Sequence, residues 1–131
     1  MSFVFKVIKP DGESVENSVS YSISSDEIFI NGKTEKYEDL NSQLVFPTIN
    51  ILYNGTTYSS IGEFPDITIN ETGNWVFPNT GSGIDVVQGS NNFTLSATDD
   101  RGNTKVLKLV IVLPQDVNTT APNPPINVRA E

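Results

Sequence analysis

The sequence predicts an all-β protein built as a sandwich or barrel, and three observations carry that reading. Apolar and polar residues alternate at period two, most clearly where Phe93, Leu95 and Ala97 interleave with Thr94, Ser96 and Thr98, as in a strand with one buried face. Turn signals punctuate the chain at short intervals, among them Pro10-Asp11-Gly12, Asn31-Gly32, Asn54-Gly55 and Asp100-Arg101-Gly102-Asn103, each supplying a preset or positive φ. No segment repeats with a helical period, and the Gly, Asn and β-branched content disfavours helix.

Taken in order, Phe3 to Lys9 alternates and stops at Pro10-Asp11-Gly12. Val15 to Ser24 alternates weakly, with Val19, Tyr21 and Ile23 on one side. Ile28-Phe29-Ile30 leads into Asn31-Gly32 and then Lys33 to Tyr37, which reads as a hairpin because Asn-Gly fits a type I′ turn. Glu35 to Leu44 is the one stretch expected to wind into a helical turn. A second Asn-Gly hairpin is expected at Asn54-Gly55, after Ile49, Ile51 and Tyr53 and before Thr57 and Ser59. Asp66 to Asn70 precedes a Glu71-Thr72-Gly73 turn into Asn74-Trp75-Val76-Phe77. Pro78 to Gly83 reads as loop, Ile84 to Val87 as a short strand, and Gly89-Ser90 as a turn into the closing hairpin, Asn91 to Leu113. Residues 114–125 are polar and proline-rich, the composition of a semi-rigid linker, and Ile126 to Glu131 begins another alternating segment.

The 131 residues suffice for one domain with a core that needs no disulfide or metal. Cysteine and histidine are both absent, which removes thiolate chemistry, the usual general base and most zinc geometries. A net charge of −8 argues against nucleic acid and anionic membranes as partners. The longest apolar run, Leu109 to Leu113, is far short of the roughly 20 residues of a membrane span. Met1-Ser2-Phe3-Val4-Phe5-Lys6 lacks the pattern of a signal peptide, so export by that route is not expected.

Residues from about Pro47 to Leu113 resemble the immunoglobulin-like repeats of bacterial and bacteriophage surface and virion proteins. The resemblance lies in Glu71 to Pro78, Gly89 to Leu95, and Ala97-Thr98-Asp99-Asp100-Arg101-Gly102-Asn103-Thr104. Ala121 to Glu131, with its Pro124-Pro125 pair, resembles the opening of a fibronectin type III domain. The resemblance implies an immunoglobulin-like β-sandwich at 45–113, preceded by a β segment at 1–44 that is either an arm or part of the sandwich. It implies a linker at 114–125 and the start of a fibronectin type III module at 126–131. In function it implies a non-enzymatic virion module of a tail, baseplate or decoration protein, assembled in the host cytoplasm. Its expected partners are other virion proteins or further copies of itself. The alternative is a carbohydrate- or receptor-binding module of an adhesin at the bacterial cell surface.

Carboxylates are the only side-chain acid–base candidates singled out, as Asp26-Glu27, Glu38-Asp39, Glu63 with Asp66, and Asp99-Asp100. Neighbouring strand residues point to opposite faces, so none of these pairs alone supplies a glycosidase geometry. No catalytic residue and no cofactor is expected. Asp99, Asp100 and Asn103 put three oxygen-bearing side chains around one turn, but such residues more often bond their own backbone than calcium, and no metal is expected. Trp75, Tyr53, Tyr58 and Phe77 read as core filling or as a sugar-stacking platform. The glycosylation patterns at Asn54, Asn70, Asn92 and Asn118 read as chance matches in an Asn- and Thr-rich chain.

One stretch points to an interface. In Val106 to Leu113, Leu107, Leu109, Ile111 and Leu113 form one apolar face, and Val106, Val110 and Val112 form the other, broken only by Lys108. A sandwich strand with a wet outer face should be polar there. The expected cover is residues 1–44 in part and a neighbouring subunit for the rest. Phe3, Phe5 and Val7 are the matching candidates at the N-terminus, either as an arm that docks by strand addition or as a first strand of the same sandwich. The interface set is thus Phe3, Phe5, Val7, Val106, Val110 and Val112.

Overall fold

A computed structural model describes residues 4–114 apart from Phe64 and Thr80. Phe3, the expected linker beyond Pro114 and the expected strand at 126–131 lie outside the described residues. In chain order the strands are β1 (Phe5–Ile8), β2 (Ser14–Val15), β3 (Val19–Ser22), β4 (Glu27–Ile28), β5 (Ile30–Thr34), β6 (Tyr37–Glu38) and β7 (Leu44–Val45). Then follow β8 (Thr48–Tyr53), β9 (Thr56–Ser59), β10 (Thr68–Ile69), β11 (Asn74–Phe77), β12 (Ile84–Asp85), β13 (Gly89–Thr98) and β14 (Thr104–Leu113). The all-β expectation is met.

Two five-stranded sheets make the body. The first runs β10-β11-β5-β1-β2 and the second β3-β14-β13-β8-β9. Every pair in them is antiparallel except β3 with β14, which is parallel. Their inward faces meet in one core: Phe5, Val7, Ile30, Trp75 and Phe77 from the first sheet face Ile49, Ile51, Phe93, Leu95, Leu107, Leu109 and Ile111 from the second. Tyr58 bridges the sheets against Phe77, with ring centroids 4.7 Å apart. The period-two alternation of β8, β13 and β14 is therefore the imprint of this core. Strands before residue 45 enter both sheets, β1, β2 and β5 in the first and β3 in the second.

Two local expectations are corrected. Asn31-Gly32 is the middle of β5 and not a turn: Gly32 pairs with Val7 on one side and Trp75 on the other. A Cβ at Gly32 would land on the Trp75 indole and the Lys6 carbonyl oxygen, so the glycine here clears space instead of bending the chain. Asn54-Gly55, by contrast, does turn, with φ of 53° and 78° at the two residues. The expected helical turn in 35–44 is the two-stranded ribbon β6–β7. Asp39 holds its tip by accepting from the Asn41 and Gln43 N–H groups at 2.8 and 2.9 Å, an aspartate turn that competes with helix.

Burial pushes the Tyr21 phenol up to about 12. Burial also raises Tyr37, where the Asp100 N–H opposes it and nearby carboxylates add to it, and Tyr53. A phenol whose folded pKa exceeds its unfolded value contributes stability that is complete below about pH 10 and is lost as pH climbs toward the folded value. Absorbance titration should find these three tyrosines ionising late, with thermal stability falling above about pH 10. Simultaneous titration of every tyrosine near 10 without loss of stability would contradict this packing.

Candidate protein interface

Negative charge in this chain is kept off the two large sheets. The ten strands of the two large sheets contain no Asp or Glu, and their only charged residues are Lys6, Lys33, Lys105 and Lys108. All sixteen acidic residues lie outside those strands. Carboxylates are poor strand formers, which accounts for their exclusion locally. The consequence is a sandwich whose broad faces lack the negative charge that gives the chain its −8.

The outer face of the second sheet can be read row by row from the register. Val112 lies between Ser22 and Ser90, and Val110 between Ser20 and Asn92. Lys108 is followed across the sheet by Thr94, Leu52 and Thr57, and Val106 by Ser96, Asn50 and Ser59. Val106 is 57 % exposed and Leu52 45 %. Val110 and Val112 are half-buried because β3 pairs beside β14 only over Leu109–Val112. The face is thus hydroxyls, amides, three valines and Leu52 around a single ammonium group, that of Lys108.

The six predicted interface residues separate. Val106, Val110 and Val112 share this face. Phe5 and Val7 do not: both are in the core, and Phe5 stacks on Trp75 with centroids 5.7 Å apart. As sites for a partner they are corrected, because β1 satisfies its backbone against β2 and β5 and turns these side chains inward. The part of residues 4–44 that reaches β14 is β3, which pairs along its edge over Leu109–Val112. It flanks β14 at Val110 and Val112, and Val106 stays exposed.

The carboxylates at the sandwich ends are occupied with holding loops. Asp99 Oδ1 accepts from the Arg101 and Asn103 N–H groups at 2.9 and 2.8 Å, and Oδ2 from Asn103 Nδ2 at 2.9 Å. Burial pushes this carboxyl up, but those hydrogen bonds and the Arg101 charge outweigh it and hold the group below its ordinary value. Asp100 Oδ2 accepts from the Leu40 N–H at 2.7 Å, while the Asp100 N–H donates to the Tyr37 hydroxyl at 2.9 Å. Arg101 Nη1 donates to the Glu38 carbonyl at 2.8 Å. Asp99, Asp100 and Asn103 are therefore turn and loop ties, as expected for such residues, and among the described residues no cluster of three or more metal-ligating groups occurs. Trp75, Tyr53 and Phe77 are buried, their large apolar surfaces filling the core as the first of the two expectations for them has it, and they offer no sugar-stacking platform. An open groove of about 650 Å³ where β14 ends is lined by Ile23, Ser24, Ser25, Asp26, Gln88, Leu113 and Pro114, with Asp26 the lone carboxylate among them.

The sequence reading missed the rest of this face, the rows Asn92-Thr94-Ser96 and Asn50-Leu52. The signal was present in the alternation of β13, whose even residues were read merely as solvent-facing. No family model matches the chain, and no curated protein matches it.

Proposed function

We propose that this chain is a non-enzymatic structural module of a bacteriophage virion, belonging to the tail, the baseplate or a decoration protein, and acting through contacts between subunits. The observation that carries the reading is the outer face of the second sheet, where Val106, Val110, Val112 and Leu52 lie among uncharged polar side chains with no carboxylate. Two large apolar side chains, Val106 and Leu52, stand exposed on this face without a carboxylate beside them, which suits a protein contact, whose core is depleted of charge. The strand order supports an immunoglobulin-like sandwich, since β10-β11-β5-β1 follows the four-strand sheet of that fold and β14-β13-β8 the facing one. The loop carboxylates support a passive role, as those of Asp39, Asp99 and Asp100 are already engaged with backbone N–H groups.

The chain contains no cysteine, so Val106→Cys introduces a single thiol at the centre of the question. In the free protein this thiol is expected to react rapidly with maleimide. In particles purified from the encoding phage, the same chain should be a stoichiometric component and its thiol protected at least ~10-fold, as burial in an interface excludes reagent. Equal labelling in both states, or absence of the chain from the particle, overturns the proposal.

A further inference from the structure

We propose that the occupant of this face is a second copy of the same chain, packed sheet against sheet; the inference rests on the preceding reading that a protein covers the face. Two features of the face select a copy of itself. Apart from the Lys108 ammonium, its polar groups are Ser20, Ser22, Asn50, Thr57, Ser59, Ser90, Asn92, Thr94 and Ser96, and every one of these both donates and accepts hydrogen bonds. A surface of such groups is complementary to itself, as a two-fold contact requires. The acidic residues, meanwhile, all sit outside the ten strands of the two large sheets, so contacts through the loop-bearing ends bring carboxylates together, whereas contacts through this face bring together only the Lys108 ammonium of each copy.

The size of the face sets the strength. The five strands present roughly 540 Å² of sheet, taking about 3.3 Å per residue and about 4.8 Å between strands. Two copies would bury roughly 1,100 Å², near the lower bound of specific interfaces. The dimer is therefore weak and reversible in isolation. The −8 charge on each copy still opposes approach from the rims, and salt screens that repulsion over a distance of about 10 Å at 0.1 M. Association through this face strengthens as salt rises, the opposite of a contact built on ion pairs.

Sedimentation velocity on the full 131-residue chain, from about 10 µM to about 1 mM, tests this in low and high NaCl. A monomer–dimer equilibrium is expected that tightens about 3- to 10-fold between about 0.05 and 0.5 M NaCl. Val106→Glu and Leu52→Glu, both at exposed positions, should each weaken it at least ~10-fold with the circular dichroism unchanged. Leu44→Glu, also exposed but in β7 outside the two large sheets, should leave it unaltered. A chain that stays monomeric throughout, or a dimer indifferent to Val106→Glu and Leu52→Glu, overturns the second copy as occupant. If the Val106→Cys thiol is nevertheless protected in the particle, a different protein covers the face and the functional reading stands; if it labels freely there, both fall.

Discussion

Replacing Gly32 with alanine is expected to destabilise the fold by about 3 kcal/mol, a large effect for one methyl group. Gly32 is the centre of β5, itself the central strand of the first sheet. The Trp75 ring crosses directly above it, and the Lys6 carbonyl lies on the same side. Neither neighbour yields easily. Lys6 is fixed by the β1–β5 ladder, and Trp75 is 1 % exposed and stacked on Phe5. Relief requires a shift of the indole into a close-packed core, which is the mechanism by which overpacking destabilises. The Trp75 Nε1 has no hydrogen-bond partner among the described residues, so the indole is held by shape alone. Trp75→Phe should then lose less than a Trp truncation of that size, because it also removes an unpaired donor worth roughly 1–3 kcal/mol. Urea unfolding of both single variants and the double variant gives the test, with strong non-additivity expected: the smaller ring makes room for the alanine methyl. A Gly32→Ala protein within about 0.5 kcal/mol of wild type would mean the indole is not seated on this residue.

The same glycine marks the limit of what was legible in the sequence. Alternation exposed β8, β13 and β14, because each has one face in the core and one outside, and the period survives any detail of topology. The turn at Asn54-Gly55 was legible for the same reason: its φ requirement is local. Asn31-Gly32 carries an identical dipeptide, but there the need is tertiary, space under a tryptophan more than forty positions away in the chain. No local pattern encodes that. Phe5 and Val7 illustrate a second gap, since alternation identifies a buried face without saying what buries it, the chain's own sheet or a partner. For Val106, Val110 and Val112 the two-sided apolar pattern was itself unusual for a sandwich strand, so the share of the candidate face on β14 was readable. The remainder, contributed by β13, β8, β9 and β3, depended on which strands flank β14 and β13.

Asn91→Leu should cost about 4 kcal/mol or more, although the two side chains are nearly the same size. Asn91 is 2 % exposed at the start of β13. Its Oδ1 accepts from the Tyr53 hydroxyl at 2.8 Å and the Val87 N–H at 2.9 Å. Its Nδ2 donates to the Val87 and Ile111 carbonyls at 2.8 and 3.1 Å. One amide thus ties β8, β14 and the segment before β13 together. Leucine fills the volume and leaves these groups without that partner, each at roughly 1–3 kcal/mol where water does not reach. Asn91→Asp separates shape from hydrogen bonding. The ionised carboxylate keeps the acceptor but turns its second oxygen on two carbonyls, so the protonated form is favoured in the fold and the pKa there rises above the unfolded value of about 4. Its penalty is therefore largest at neutral pH and shrinks as pH falls through the folded pKa, when a proton restores the donor. Thermal melts across pH should show this variant gaining on wild type toward acid, while Asn91→Leu stays uniformly low. Parallel pH curves for Asn91→Asp and Asn91→Leu, or a leucine variant within about 1 kcal/mol of wild type, would remove the amide from the role given to it. Because Ser90 and Asn92 flank the tie and belong to the outer face, its loss also loosens one border of the surface on which the self-association depends.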